Sequence, residues 1–191
     1  MSTPPFPGWQ DAGAEARFSD PTEFTRRTDS LTRTVRIRNA VEYIAGAFVI
    51  VLFGGSAIGA AIKGEWLIGL SLALVVAGTL VILWNLHRRA SNLVRLPEEP
   101  CLAHLRRQYA HQHAALSAVP KWYIGPLVPG VALFYAAVTI RVAEATDLAT
   151  ALEGIAGPAA ITFGIFAAIA AANLFAARGL KRKIAQLDAL A

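Results

Sequence analysis

Residues 40–86 read AVEYIAGAFVIVLFGGSAIGAAI, then KGE, then WLIGLSLALVVAGTLVILWNL, and this stretch decides the fold. Two largely apolar runs, 40–62 and 66–86, flank the short polar turn at 63–65. A helix of about 20 apolar residues crosses the hydrocarbon core of a bilayer. The stretch therefore predicts two transmembrane helices joined as a membrane hairpin.

The second half of the chain repeats this plan. Apolar runs at 122–140 and 154–177 are separated by a loop at 141–153, which has room for one helical turn. Hydrophobic residues make up 55% of the 191 residues and charged residues 16%, and the mean hydropathy is +0.46. These values lie outside the usual range for a soluble domain. We expect one all-α membrane domain of four transmembrane helices in two hairpins.

Four segments lie outside the predicted spans. The tail 1–19 is rich in Pro, Gly and Ala and is expected to be disordered. Residues 20–39 predict a juxtamembrane helix that begins at Asp20-Pro21, because Asp is a common cap and Pro is tolerated at the first helical position. Residues 87–121 contain an amphipathic helix, and 178–191 predict a C-terminal helix that continues the fourth span. No secretory signal precedes the first span, which is expected to direct insertion itself.

These polar segments carry narrow apolar stripes with basic flanks. Apolar side chains recur there at helical spacing, which predicts one buried face on each helix. The stripes suit either the headgroup interface or mutual packing in a small bundle beneath the membrane. We interpret two of them as a candidate surface for a cytoplasmic partner: Phe24, Leu31, Val35, Leu102, Leu105 and Tyr109.

The distribution of positive charge predicts the orientation. Of the 18 Lys and Arg residues, only Lys63 and Arg141 lie on the far side of the spans. Positive residues in short loops stay in the cytoplasm. The sequence predicts a bacterial inner-membrane protein with both termini inside. Contact with anionic lipid headgroups accounts for the net charge of +5, so no nucleic-acid partner is expected.

The third span opens with an unusual run, WYIGPLVPG at 122–130. Pro126 and Pro129 each remove a backbone donor and crowd the carbonyl four residues back. This turn is therefore expected to be bent. The bend is either a kink that shapes helix packing or a contact for lipid headgroups. Trp122 and Tyr123 belong to the same candidate site.

Small residues mark candidate contact faces within the spans. Gly55 and Gly59 form a GxxxG pair, a pattern that lets helix backbones approach closely. A ladder of small residues follows the fourth span at a spacing of four. We expect these faces to pack within the chain, with a homo-oligomer as the alternative. The ladder consists of Ala160, Gly164, Ala168, Ala172 and Ala176.

No ionisable residue lies in the central part of any predicted span. Ion-coupled transporters usually keep such groups near the membrane midplane, so coupled transport is disfavoured. Glu42 and Asn173 lie a few turns from the cytoplasmic surface. They could meet in the folded bundle, although Glu42 beside Arg38 also suits simple snorkelling to the surface.

The Cys and His residues of the middle segment are poorly placed for a metal ion. His104 and His111 share a helix face but lie about 10 Å apart at 1.5 Å per residue, and His113 points elsewhere. Only Cys101 and His104 could share an ion. We predict no metal site, and no catalytic pattern or cofactor-binding motif stands out.

The run at 122–130, the polar helix before it and the entry to the first span at 36–43 resemble a group of small proteobacterial membrane proteins. The resemblance covers residues 20–140. Some members of that group are encoded beside sigma factors, so the resemblance implies a link to membrane-anchored transcriptional regulation. It brings no site residues. The His and CxxC pattern of zinc-type anti-sigma factors is absent here.

Together these features predict a non-enzymatic scaffold or regulator of a cytoplasmic partner, anchored in the membrane and in contact with its lipids. Two alternatives stay open. An uncoupled small transporter or channel subunit would need a polar stripe along the spans, whereas a membrane lipid enzyme would need a polar cluster at one membrane surface.

Overall fold

The computed structural model describes residues 21–189, with side-chain surroundings from residue 25 onward. The predicted disordered tail 1–19 and the side chain of Phe24 lie outside that description. The described residues form helices joined by short turns and the linker 90–100, and they contain no strand. Its long helices are α1 (Pro21–Ile62), α2 (Trp66–Arg89), α3 (Cys101–Ser117), α4 (Val128–Ala145) and α5 (Leu148–Asp188).

Four segments are long and apolar enough to cross a membrane. They are α1, α2, the stretch Pro120–Ala145 that contains α4, and α5. This confirms the all-α prediction and the number of candidate spans. α1 and α5 have 42 and 41 residues, so each is about 60 Å long at 1.5 Å per residue. Both helices therefore reach far beyond a hydrocarbon core of about 30 Å.

The four long segments stand side by side in the order α1, α2, α4, α5. α1 packs along α2, α2 along α4, and α4 along α5, whereas α1 and α5 do not pack along each other. α3 lies across one end, where it contacts both α1 and α5. The two outer helices are therefore joined through α3 rather than directly.

The two ends of the molecule differ in charge. At the turn end, Gly64 adopts a φ of +79°, which reverses the chain between α1 and α2. Lys63 and Arg141 line a common cavity there. At the opposite end lie the first half of α1, the linker 90–100, α3 and the last turns of α5, which we call the base. The base and the helix ends next to it carry the other positive residues of the described chain.

Glycines mark the closest approach of the two central helices. A methyl group built on Gly78 of α2 would overlap the carbonyl group of Pro126, and one built on Gly130 would lie 2.7 Å from the backbone nitrogen of Val75. Only a residue without a side chain fits at either position. The segment 120–127, which precedes α4 and which we call the irregular segment, and α4 itself thus dock directly against the backbone of α2.

The GxxxG pair lies elsewhere. Nothing approaches within 4 Å of a methyl group built on Gly55 or Gly59. All five members of the small-residue ladder on α5 are exposed as well. The expectation that these faces pack within the chain is therefore wrong, because both face outward from the row of helices.

The predicted loop 141–153 is largely helical. α4 continues to Ala145 and α5 begins at Leu148. Asp147 caps α5, since its carboxylate accepts hydrogen bonds from the Thr150 N–H at 3.0 Å and the Thr150 hydroxyl at 2.7 Å. These two bonds lower the pKa of the Asp147 carboxyl, because both favour its charged form. Because α5 begins at Leu148, Pro158 lies inside this helix.

Each outer span forms one helix with the polar segment beside it. Residues 21–39 and 40–62 form the continuous α1, and 154–177 continues through 178–188 as α5. No proline or glycine interrupts α1 near residue 40, because the first glycine after Pro21 is Gly46. α1 therefore continues without a kink-forming residue from the base into its span, and α5 is likewise one continuous helix, although it contains Pro158.

Between α3 and α4 the backbone is irregular. Pro120–Ile124 forms a π turn, in which the Gly125 N–H bonds to the Pro120 carbonyl, and Gly125–Leu127 forms a 3-10 turn. Pro126 and Pro129 supply no N–H, so regular i to i−4 bonding cannot continue here. Within the π turn, the Trp122 side chain is buried and the Tyr123 side chain is half-buried.

Candidate functional site at the base

An apolar cluster holds the base together. The Leu105 side chain is fully buried at 0% exposure, and Tyr109 and Leu187 pack with it. Leu31 from α1 and Leu102 from α3 lie against the cluster. Three segments distant in sequence therefore bury their stripes against one another, as in the bundle alternative. Cys101, Leu180 and Ile184 complete the cluster.

The packing corrects the candidate partner surface. Val35, Leu105 and Tyr109 are buried, and Leu31 and Leu102 are partly buried. These side chains contact the chain itself, so they do not form the exposed apolar surface that the sequence predicted, although Leu31 and Tyr109 also line a groove described below. Apolar stripes that can reach one another bury more area by pairing than by facing water.

A buried polar network ties the linker to α3 and α1. Gln108 and Gln112 are each 1% exposed. Gln108 accepts from the Leu93 N–H at 2.9 Å and donates to the Asn92 side chain at 2.7 Å. Gln112 donates to the Ala90 and Ser91 carbonyls, both at 3.3 Å. Buried amides left unpaired are costly, so these bonds fix the path of the linker.

α1 joins the same network through two side chains. Arg38 donates to the Gln112 side chain at 3.2 Å and to the Ala90 carbonyl at 3.3 Å. Asn39 donates to the same carbonyl at 3.0 Å. This network was not predicted from the sequence. Its signal was present, because Gln108 and Gln112 share a helix face with Leu105 at spacings of three or four residues.

Glu99 lies just before α3 and contacts His104 and Arg107 of that helix. One oxygen of Glu99 lies 3.0 Å from His104 Nδ1 and accepts from Arg107 at 2.7 Å. Burial disfavours the ionised Glu99. Hydrogen bonds from His104 and the Leu96 N–H, with the charge of Arg107, outweigh burial and hold its pKa below the ordinary value. His104 thus pairs with Glu99, and no group of three metal-ligating side chains occurs within residues 25–189.

A small cavity lies where α1, the irregular segment and α5 converge. We call it the interfacial cavity. The Tyr123 hydroxyl donates to Glu42 at 2.6 Å, and Asn173 donates to the Ile169 carbonyl at 2.8 Å. The space is about 40 Å³. Its lining includes Arg38, Glu42, Leu86, Trp122, Tyr123 and Asn173.

The cavity brings together two predicted sites. Glu42 and Asn173 line the same space, as one alternative expected, but the direct bond to Glu42 comes from Tyr123. Trp122 is buried and donates through Nε1 to the Ala115 carbonyl at 2.8 Å. Pro126 is half-buried against α2, and Pro129 is exposed.

A second concavity, the basic groove, opens on the outer side of the base. It has a volume of about 460 Å³. Lys183 Nζ lies 5.6 Å from the centre of the Tyr109 ring, a cation–π distance. The groove is lined by Arg26, Arg27, Ser30, Leu31, Thr34, Tyr109 and Lys183. Within residues 25–189, its lining therefore contains three basic side chains and no carboxylate.

No protein-family model matches this chain, and no curated protein or solved structure is significantly similar to it.

Proposed function

We propose that this chain is an inner-membrane protein with four spans in two hairpins and both termini in the cytoplasm. We further propose that it is a non-enzymatic scaffold or regulator that binds a soluble cytoplasmic protein at its base. The asymmetry of charge between the two ends supports this orientation, because translocating the basic end would carry many guanidinium groups through hydrocarbon.

The observation that carries the proposal is the base itself. Three segments distant in sequence fold together there through a buried cluster and a buried polar network. A chain that served only to span the membrane would need none of this. The base gives the four spans a folded surface for a partner in the cytoplasm.

The basic groove is the surface that we assign to this partner. Arg26 lies 14 residues before the predicted start of the first span, so it stands about 21 Å along α1 from that point. Headgroups extend only about 5 to 8 Å beyond each side of the hydrocarbon core. The groove therefore lies past the lipid phosphates and suits an acidic segment of a soluble protein.

The resemblance to proteins encoded beside sigma factors favours a partner that acts in transcription. Under this proposal the membrane protein holds a regulatory protein near the bilayer through charge complementarity. Such contacts act mainly on the rate of association and on specificity. The docking is expected to weaken as salt rises.

Cysteine labelling tests the orientation. In a Cys101→Ala background, we would place single cysteines at Lys63 and at Lys181, both exposed. A membrane-impermeant maleimide should label the Lys63→Cys protein in intact spheroplasts and the Lys181→Cys protein only after lysis. The reverse pattern would overturn the proposed orientation.

In-cell photo-crosslinking tests the docking surface. A photo-reactive amino acid at Ser30, which lines the groove, should give an adduct with an acidic cytoplasmic protein. The double variant Arg26→Glu and Lys183→Glu should lose this adduct. The control Arg33→Glu and Lys181→Glu changes the same charge on exposed positions outside the groove and should keep it.

Two outcomes would contradict the proposal. Adducts with lipid or with a second copy alone would leave the groove without a soluble partner. Equal loss of the adduct in both double variants would attribute binding to overall charge rather than to the groove. Selective ion or solute flux through liposomes containing the purified chain would favour the uncoupled transporter instead.

A further inference from the structure

A further cavity, which we call the arginine pocket, lies between the end of α2 and the last turns of α3. It has a volume of about 220 Å³, and a single water needs about 10 to 15 Å³ of such space. The pocket therefore has room for a ligand group of several non-hydrogen atoms. Three basic side chains and three alanines line it: Arg88, Arg89, His111, Ala114, Ala115 and Ala118.

The basic groups of this pocket lack partners. His111 Nε2 is shielded from solvent and makes no hydrogen bond within residues 25–189. The guanidinium groups of Arg88 and Arg89 make no ion pair or hydrogen bond in that part of the chain. A buried polar atom without a partner costs free energy. An anion in the pocket would supply acceptors to all three groups.

The imidazole of His111 suits an anion in particular. Burial lowers the pKa of His111, and its hydrogen bond with the Ser91 backbone raises it by less. A neighbouring negative charge favours the protonated form, which donates from both ring nitrogens. Among the residues that line the pocket, the other charged groups are Arg88 and Arg89, both positive.

Contacts at the two ends of the pocket define its depth. Ala118 packs against the cluster of Ile82 and Leu86, which lie at the end of the predicted second span. Gln112, the neighbour of His111, bonds instead to the linker carbonyl groups at residues 90 and 91. The alanine end of the pocket is therefore nearer the hydrocarbon, and the His111 end lies farther toward the cytoplasm.

The two arginines lie at the depth of lipid phosphates. They follow the predicted span end at Leu86 by two and three residues, which is about 3 to 4.5 Å along the helix. The headgroup layer reaches about 5 to 8 Å beyond the hydrocarbon. Trp84, four residues before Arg88 and on the same helix face, is 66% exposed. In a bilayer this face meets lipid, and Arg88 and Arg89 are exposed beside it.

We propose that the arginine pocket binds the phosphate group of an anionic phospholipid. Arg88, Arg89 and protonated His111 donate to the phosphate oxygens, and the acyl chains leave past Ala118 toward the hydrocarbon. Basic pockets between membrane helices at the cytoplasmic surface are typical sites for acidic headgroups. A choline headgroup is disfavoured, because its cation would meet a lining of basic side chains. This inference rests on the proposed membrane placement but not on the partner assigned to the basic groove.

Native mass spectrometry of the full chain in mild detergent tests the proposal. The protein is titrated with an equimolar mixture of dioleoyl phosphatidylglycerol and dioleoyl phosphatidylcholine. One glycerol lipid should be retained about tenfold better than the choline lipid, because the repulsion of the choline cation is absent. Excess inorganic phosphate should leave this retention unchanged. Equal retention of the two lipids, or displacement of the lipid by inorganic phosphate, would overturn the assignment to a lipid.

Arg88→Gln with Arg89→Gln is the first variant. It should lower the preference for the glycerol lipid about tenfold, to near equal retention. The control Arg36→Gln with Arg178→Gln removes the same charge at two exposed positions close to a span end but outside the pocket, and it should keep the preference. Equal loss in both variants would attribute retention to the basic face as a whole and overturn the site.

His111→Leu distinguishes a built site from charge alone. Leucine replaces a ring whose buried nitrogen has no partner within residues 25–189, so the fold should tolerate it. The preference for the glycerol lipid should fall about threefold or more, and His113→Leu, outside the pocket, should keep it. An unchanged preference in His111→Leu would contradict the site. The groove variant Arg26→Glu with Lys183→Glu should keep the preference, so this inference and the proposed partner can fail separately.

Discussion

The glycines between the central helices α2 and α4 differ in their surroundings from the small-residue patterns on the outer helices α1 and α5. Gly78 and Gly130 sit in the central contact, where no side chain would fit. Gly59 on α1 and Gly164 on α5 face open space. The comparison teaches that spacing of small residues alone does not identify a contact, because the helix must also turn that face toward a neighbour.

The outer helices depend on α3 instead. They do not pack along each other, and the cluster around Leu105 joins both of them at the base. Substitutions at the base should therefore loosen α1 and α5, while substitutions between α2 and α4 should weaken the centre. Each of the following variants tests one side of this difference.

Leu105→Ala is expected to have the largest effect. Removal of a fully buried leucine leaves a cavity and typically costs about 3 to 4 kcal/mol of unfolding free energy. SDS-induced unfolding in mixed micelles measures this loss. The exposed leucine Leu148, changed to Ala as the control, should alter the free energy by less than about 0.5 kcal/mol. A similar small effect at Leu105 would show that the base does not hold the outer helices.

Gly78→Ala should break the central contact. The added methyl group meets the backbone of Pro126, with its carbonyl carbon 2.9 Å away, and backbone cannot move aside as a side chain can. Overpacking of this kind costs about 2 to 3 kcal/mol, measured by the same SDS titration. A stability equal to wild type would contradict the close approach of α2 to the irregular segment.

Gln108→Ala should cost about 1 to 2 kcal/mol, because the Leu93 N–H and the Asn92 side chain lose a partner inside the base. Gln186→Ala removes an exposed glutamine from α5 and is the matched control. Hydrogen exchange at Leu93 should accelerate only in the first variant. Equal exchange in both would mean that the network does not hold the linker.

Glu99→Gln should destabilise the base in a manner that depends on pH. The lowered pKa of Glu99 means that its ionised form stabilises the fold above its ordinary pKa of 4.5 and that this contribution is lost as the pH falls through the folded value. The stability difference between wild type and variant should be present at pH 7 and shrink as the pH falls below 4.5. Thermal unfolding in detergent across this range measures it, and a difference independent of pH would contradict the pairing with His104 and Arg107.

Gly59→Ala is expected to have the smallest effect. Open space surrounds the position, and alanine favours helix over glycine by up to about 1 kcal/mol. The isolated chain should therefore keep or slightly gain stability in detergent, in contrast to Gly78→Ala. A loss comparable to that of Gly78→Ala would place Gly59 in a contact and erase the difference between outer and central helices.

The sequence predicted the candidate spans well because hydropathy depends on composition over about 20 residues. It did not predict the start of α5, although Asp147 and Thr150 form a recognisable cap. A hydropathy profile does not detect such a cap, because its residues are polar and lie close to a span. Segment 20–39 and the first span were predicted as separate segments, because the composition changes from polar to apolar at residue 40 while the helix continues.

The candidate site was only partly accessible from the sequence. The apolar stripes were visible, but their pairing depends on where α3 lies, which no local pattern specifies. Glu42 and Asn173 were named as a pair that could meet. Tyr123, the residue that bonds to Glu42, was assigned to a different feature of the sequence. Contacts across 81 positions arise only from the folded arrangement.

The continuity of α1 and α5 also has a mechanical consequence. Arg26 lies on α1 and Lys183 on α5, so the width of the basic groove depends on the angle between the two helices. Spans tilt to match the thickness of the bilayer. With Arg26 about 21 Å along α1 from the start of the span, a tilt of about 10° would move it by roughly 4 Å. In a bilayer, the thickness of the hydrocarbon core would therefore alter the distance between Arg26 and Lys183 through the tilt of the two helices.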